Sequence, residues 1–462
     1  MKQKHETDLG NEPIGRLLFR LSVPAITAQV VNVLYNMVDR MYIGHIPGYG
    51  AAALTGVGVA FPLIMLISAF AGLVSMGGAP RASIMMGKGK KEDAEEILGN
   101  CAMGLLITGL LLTAFFLLFA EKLLLLFGAS ANTIEYSVAY MKIYSMGTLF
   151  VQAALGLNAF ITAQGFATTS MLSVVIGAVS NIILDPILIF GFHMGVKGAA
   201  LATIISQGIS AIWVIHFLCG KKTILRLRRK YFKIRPSVFF PCMALGLSPF
   251  IMQSTESILN ICFNASLLRY GGDIAVGAMT ILCSVMQFSM LPLMGLTQGS
   301  QPIVSFNYGA GNPDRVKKAY FILLRSCAVY STLVWAIAVF APGIFTGIFT
   351  NDPVLTEFTK WAMRIYMSVS CFFSVQIACQ QTFIALGKAK ESIFLALLRK
   401  VILLIPLIYI LPVFFQDKTM AVYLAEPVAD VLAVSTTATL FGIKFRKIMK
   451  NMRTAEKAAV HE

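Results

Sequence analysis

The chain has 462 residues, of which 57% are hydrophobic and only 13% charged, and it carries a net charge of +16. A soluble globular domain has roughly twice that share of charged residues, so a water-soluble fold of this size is excluded. The basic excess does not point to nucleic acid, because most Lys and Arg lie in short stretches between apolar spans, where they act as topology signals and contacts to anionic lipid headgroups.

Apolar runs close to the ~20 residues needed to cross lipid recur along the whole length. The pattern predicts an all-α integral membrane protein with twelve transmembrane helices, at 14–40, 52–79, 94–120, 132–156, 166–190, 196–219, 237–265, 274–302, 316–341, 354–383, 392–415 and 420–444. The first twenty residues are polar and lack a short apolar core with a cleavage site, and the first apolar span runs on past Asn32 and Asp39. It therefore reads as a retained helix. Turn chemistry separates the spans at Ile46-Pro47-Gly48, Gly87-Lys88-Gly89-Lys90, Gly309 to Pro313 and Asn351-Asp352-Pro353. The eight cysteines lie in or beside spans without a CxxC pair and read as packing residues. The five histidines, including His5 and His461, are scattered and read as structural or solvated.

The most basic linker, 221–236, divides six spans from six. The expected organisation is an N-terminal lobe over 1–220, this linker on the cytoplasmic side, a C-terminal lobe over 237–445 and a cytoplasmic tail over 446–462. With both termini inside, only Arg40, Lys122, Lys142, Lys197, Arg269, Lys360, Arg364 and Lys418 fall outside among the 38 basic residues, as the positive-inside rule requires. On this count Lys388 to Lys400 belong to the inner loops.

The halves repeat. The segment from Gly77 lies over the segment from Gly299 without a gap, so that Gly77/Gly299, Pro80/Pro302, Ser83/Ser305, Gly87/Gly309 and Gly89/Gly311 coincide. At the same offset Gly165 falls on Gly387 and Ala167 on Ala389. These coincidences are read as loop glycines and prolines of an internal duplication. Six spans per repeat give both halves the same topology, with substrate handled between them, an arrangement that suits a transporter better than a receptor, scaffold or enzyme.

Polar groups inside spans mark function. Asn32, Tyr35, Asn36 and Asp39 share one face of the first helix. Asn181 and Asp185 share a face of the fifth, where Pro186 can free a backbone carbonyl. Thr203, Ser206, Gln207 and Ser210 stripe the sixth. Together these groups can hold a proton or Na⁺, whereas Asn36, Ser206 and Ser210 also fit simple helix-to-helix hydrogen bonding. In the second half Gln253, Glu256, Asn260 and Asn264 share a face of the seventh helix, and Glu256 there can attract a cationic substrate or carry a coupling proton. Glu426 and Asp430, four apart around Pro427, can pair with a basic group near Arg399 or Lys400. Met286, Met290 and Met294 with Phe288 can form a soft wall for flat hydrophobic compounds, or ordinary packing. The chain has no ATP-binding GxxxxGK[ST] loop and no metalloprotease or hydrolase motif. Apart from H⁺ or Na⁺ as coupling ion, no cofactor is expected.

The segments LSVPAITAQVVNVLYNMVDRMYIGHIPGYGAAALTGVG, NAFITAQGFATTSM, NIILDPILIFGFHMGVKGAALATIISQ and TQGSQPIVSFNYGAGNPDRVKKAY resemble, in order and over essentially the full length, the multidrug and toxic compound extrusion (MATE) family, in its bacterial MepA/DinF-like branch. The resemblance implies two six-helix lobes around a V-shaped cleft and antiport of H⁺ or Na⁺ against organic, often cationic, hydrophobic compounds. It carries the family's cation site onto Asp39, Asn181, Asp185 and Thr203, and another branch's coupling acid onto Glu256. Asn32, Tyr35, Asn36, Gln253, Asn260, Met286 and Met290 are the expected cleft residues. The implied partners are small organic molecules and membrane lipids, with no nucleic acid and no obligate protein partner, at the bacterial inner membrane. The rival within the superfamily is a lipid-linked precursor flippase. It is disfavoured because no basic cluster is expected inside the spans.

Overall fold

The computed structural model describes residues 8–350 and 352–461. The first seven residues (with His5), Asn351 of the predicted Asn351-Asp352-Pro353 turn, and Glu462 lie outside the described residues. Among the described residues nine helices are long and apolar enough to cross a membrane, and two bent helix pairs pass the same test together. One of the nine, Pro236–Gly309, is 74 residues long. It is two spans, because Gly272 takes φ 66°, ψ −164°, a conformation essentially confined to glycine. The described residues therefore make twelve crossings.

These are α1 (Ile14–Gly44), α2 (Gly50–Gly87), α3 (Lys91–Leu126), α4 (Ile134–Met146 with Thr148–Ala163), α5 (Ala167–Gly191), α6 (Val196–Cys219), α7 (236–271), α8 (273–309), α9 (Pro313–Phe340), α10 (Pro353–Tyr366 with Ser370–Ala385), α11 (Ala389–Phe414) and α12 (Lys418–His461). α4 bends by 59° and α10 by 50°, each near its middle. A short helix, Gly343–Phe349, joins α9 to α10.

The duplication is written into the turns. Gly89 and Gly311 have φ of 73° and 77°, and Gly165 and Gly387 have φ of 90° and 70°. Each pair is one repeat apart and closes a helix with the left-handed residue that such a stop favours.

The other shared glycines correct the sequence reading. Gly77 to Gly87 and Gly299 to Gly309 are helical rather than loop, so α2 and α8 run seven to eight residues beyond the expected ends at 79 and 302. Their glycines permit backbone contact between helices. A Cβ on Gly77 would lie 1.9 Å from the Cys242 carbonyl oxygen of α7, and one on Gly246 of α7 1.8 Å from that of Leu73. In the opposite half a Cβ on Gly299 would meet Ser22 of α1 at 2.3 Å. At the ends of α2 and α8, Gly87 and Gly309 each face the other helix's backbone at 2.0 Å. The first two helices of each half thus close on those of the other.

The lobes exchange material at this closed end. Leu9, Ile14, Leu17, Leu18 and Leu21 are buried in one cluster with Ile303, Tyr320, Phe383, Phe441 and Phe445 of the second half. Asn307 Nδ2 donates to the Leu9 carbonyl at 2.9 Å, and Arg315 Nη2 to the carbonyls of Leu9 and Glu12 at 3.1 and 2.8 Å. The linker is fastened to the first half. Gln164 Oε1 accepts from Thr223 Oγ1 and from the backbone N–H of Ile224 and Leu225, all within 2.9 Å, and Arg228 pairs with buried Glu95 at 2.8 Å. The segment after 445 continues α12 as helix, and Arg453 pairs with Asp314 of α9 at 2.7 Å.

Candidate functional site

In the first half α1, α5 and α6 bring Asp39, Asn181, Asp185 and Thr203 together, as their spacing on helix faces predicts. All four are buried. The carboxyl groups of Asp39 and Asp185 lie against each other. Asn181 Nδ2 donates to Asp185 Oδ1 at 3.2 Å, and the Thr203 hydroxyl donates to the Ala199 carbonyl at 3.0 Å. Asp39 Oδ1, Asn181 Oδ1 and Asp185 Oδ2 are buried with no hydrogen-bond partner among the described residues. After Pro186 the helix widens into a π-helical turn, Ile187–Gly191, a local irregularity often found where a helix serves a site. Two apposed carboxylates with three orphaned oxygens are an arrangement that a proton or a hard cation completes, because buried polar atoms without partners are costly. Tyr35 and Tyr140 border the pair, Tyr35 beside Gln207 and Tyr140 beside Thr203.

This cluster borders a cavity of about 290 Å³ that Asn181 and Thr203 also line. Of the expected cleft residues, Asn32, Tyr35 and Gln253 line it. Asn36, Asn260, Met286 and Met290 are not among the lining residues. Asn36 turns its amide back to the Asn32 carbonyl at 2.6 Å, a bond within α1 rather than the helix-to-helix bond expected of it. Met286 and Met290 are half-buried, Met286 against a hydrophobic cluster of the second half and Met290 against the cluster shared by both halves. Ser206, Gln207 and Ser210 of the α6 stripe also line the cavity, together with three amides that the sequence analysis does not single out, Gln29, Gln298 and Gln301. Gln298 and Gln301 stand three apart beside the duplicated Gly299, the one signal that marked them.

The second half has its own polar centre, and it is ionic. Arg399 Nε donates to Asp430 Oδ1 and Nη2 to Glu426 Oε1, both at 2.7 Å, with the guanidinium 4.5 Å above the Phe373 ring. Lys400 Nζ donates to Glu256 Oε1 at 2.5 Å and to the Met252 carbonyl at 2.8 Å. Arg399 and Lys400 are therefore not loop residues on the inner side. They are buried in the π-helical stretch Leu398–Leu404 of α11, and the expectation of no basic cluster inside the spans is corrected. Three carboxylates engage them, so they present no free cationic surface. The pairing anticipated for Glu426 and Asp430 is made by Arg399. Glu256 stands in this half with Lys400, apart from the Asp39 group with which it had been grouped as a coupling candidate.

The MatE family model matches the chain twice, over residues 24–187 and 249–410, one match in each half. This chain belongs to the MATE family. It is a multi-pass membrane transporter and not an enzyme. A relative called "Multidrug export protein MepA" from Staphylococcus haemolyticus is 24% identical over 97% of both chains. The fold is similar to an outward-facing MATE family transporter of the MOP superfamily (TM-score 0.89, 22% identity, 97% of this chain and 99% of that one). It is equally similar to a MATE structure in a bent conformation (TM-score 0.91, 21% identity, 97% of this chain and 100% of that one). The doubled family match, the paired left-handed glycines and the twelve crossings describe one architecture, a MATE transporter of two six-helix lobes.

Proposed function

We propose that this MATE chain is a secondary active multidrug exporter, an antiporter that couples entry of H⁺ or Na⁺ to efflux of organic, often cationic, hydrophobic compounds. The observation that carries the proposal is the apposed, buried Asp39–Asp185 pair with its orphaned oxygens, beside a cavity lined by amides and apolar groups. Cation binding and drug binding then compete through α1, which supplies Asp39 to one and Asn32 and Tyr35 to the other. The names of the relatives support export of many compounds. Asn181 and Thr203 complete the cation site, and Glu256 serves substrate rather than the coupling ion. The lobes divide at the linker 221–236, with both termini on the cytoplasmic face of the bacterial inner membrane, consistent with the loop-borne Lys and Arg. In that orientation the Gly87–Gly309 closure lies on the cytoplasmic side. No cofactor beyond the coupling ion, no nucleic acid and no obligate protein partner enters this reading. The neutralised Arg399 and Lys400 argue against a flippase that grips a pyrophosphate.

The test is efflux of a fluorescent cationic dye from energised vesicles, with pH and Na⁺ gradients imposed separately, in wild type and Asp39→Asn. Export by wild type, abolished in a normally expressed Asp39→Asn, supports the reading, and the effective gradient names the ion. No dye movement under either gradient overturns it.

A further inference from the structure

The two lobes treat the same position in opposite ways. At the offset that superposes Gly165 on Gly387 and Ala167 on Ala389, Gly177 and Ala178 of α5 fall on Arg399 and Lys400 of α11. Gly177 and Ala178 line the cavity beside the Asp39–Asp185 pair. Their counterparts put two long cationic side chains into the interior of the C-terminal lobe, and the Lys400 ammonium, with its side chain only 5% exposed, ends on Glu256.

Glu256 itself is unlike the other two acids of this network. Its side chain is 62% exposed, whereas those of Glu426 and Asp430 are each 6% exposed. It shares a helix face with Gln253, a cavity residue, and with the exposed Asn260 and Asn264. A row of exposed polar groups on a membrane helix faces water rather than lipid. Glu256 thus offers a carboxylate to the cleft from one side while an amine held within the protein occupies it from the other. Arg399 is satisfied by Glu426 and Asp430, so the network carries two cations against three carboxylates, and the Lys400 amine is the one that bridges to the cleft.

We propose that Glu256 is a second cation subsite for substrate, and that Lys400 is its tethered competitor: an organic cation entering the cleft takes the Glu256 carboxylate only by displacing the Lys400 ammonium. This rests on the exporter reading for the identity of the ligand. Lys400 keeps the site satisfied when empty and lowers its affinity when filled, which favours release. The flexible four-carbon stem of lysine suits this exchange better than a guanidinium fixed by two hydrogen bonds. Selectivity follows from the same exchange. Cations compete with Lys400, and neutral compounds do not.

The experiment measures equilibrium binding of tetraphenylphosphonium, and of a neutral hydrophobic dye, to purified full-length protein in lipid nanodiscs. Lys400→Met is expected to tighten tetraphenylphosphonium binding by about tenfold, an energy of about 1.4 kcal/mol, and to leave the neutral dye unchanged. The gain should vanish in Lys400→Met/Glu256→Gln. Lys400→Gln, which keeps a donor toward the Met252 carbonyl, runs in parallel in case the first variant does not fold. Glu256→Gln alone, at an exposed position, should weaken the cation several-fold and spare the neutral dye. Unchanged or weaker cation binding in a folded Lys400 variant overturns the inference, as does unchanged cation binding in Glu256→Gln. If wild type binds no organic cation at all, the exporter reading falls with it. If wild type binds and only the Lys400 effect is missing, the exporter reading survives alone.

Discussion

Replacing Arg399 with Met removes one of the two buried cations of the C-terminal lobe and leaves its two carboxylate partners behind. Glu426 and Asp430 are 5% and 4% exposed, and each accepts a 2.7 Å bond from the guanidinium. Methionine fills most of the volume, so the cost is electrostatic. Removing one partner of a buried ion pair costs about 3–5 kcal/mol, because the remaining charge has neither water nor counter-ion. Melting temperature moves by 2–4 °C per kcal/mol for units of 150–250 residues, so Arg399→Met should melt roughly 6–20 °C lower, measured by intrinsic fluorescence in detergent. The triple variant Arg399→Met/Glu426→Gln/Asp430→Asn removes the charges together and should recover more than half of the loss, since neutral buried groups need only hydrogen bonds. If Arg399→Met melts within about 2 °C of wild type, the two carboxylates are not held in a dry interior and the argument fails. A triple variant worse than the single one would show that the arginine contributes by packing on Phe373 instead.

Three further outcomes are expected. Asp185→Asn should express and melt like wild type yet lower gradient-driven dye efflux at least tenfold, since an amide beside Asp39 cannot share a proton or a cation charge; an equal fall in Asn181→Ala would extend the site to the amide, and intact efflux in Asp185→Asn would remove α5 from coupling. Gly309→Ala sets a methyl group 2.0 Å from the Ile84 carbonyl oxygen, so the closed end must part. Overpacking of this kind costs about 1–3 kcal/mol, and a thiol reagent should label a cysteine placed at Ile84 faster, whereas unchanged labelling would mean that this contact does not hold the end shut. Asp8 lies outside the membrane, and hydrogen bonds from Asn11 hold its carboxyl below the ordinary 3.8. A depressed value adds stability that is complete above 3.8 and lost as the pH falls through the lowered value. Limited proteolysis of the N-terminal arm should therefore be unchanged from neutral pH down to roughly 5 and rise only in stronger acid, while Asp8→Ala should be cleaved faster throughout; a wild-type transition near neutral pH would contradict this.

The residues that announced the site were those whose cost in lipid is highest. Asp39, Asn181 and Asp185 stood out because helix periodicity puts them on inward faces and lipid forbids the alternative. Twelve crossings followed from hydropathy, although the 74-residue run of α7 and α8 is parted by one glycine whose backbone angles no composition reveals. What stayed hidden depended on partners far along the chain. Arg399 and Lys400 end a basic stretch that begins at Lys388, and on charge counting alone they belong to a loop. Their burial follows from where Glu256, Glu426 and Asp430 arrive, which is information about packing across three helices. The glycines of α2 and α8 misled for a related reason: glycine and proline punctuate loops in most sequences, but in lipid a glycine also lets two backbones touch. Met286 and Met290 could not be sorted from the sequence, since a methionine on a helix packs equally well against a neighbour or a ligand.

The burial of Leu9 to Leu21 among residues of the final helix has a consequence for biosynthesis. This segment is buried against Ile303, Tyr320, Phe383, Phe441 and Phe445 of the second half, which are translated long after it. Chains are made from the N-terminus at a limited rate, and contacts between distant segments form late. The Leu9 to Leu21 segment must therefore wait, in water or at the lipid surface, until the second half has been inserted. Severing the chain at the central linker and supplying the pieces separately would leave that arm without its socket until the halves met, so the second half acts as an assembly template for the first.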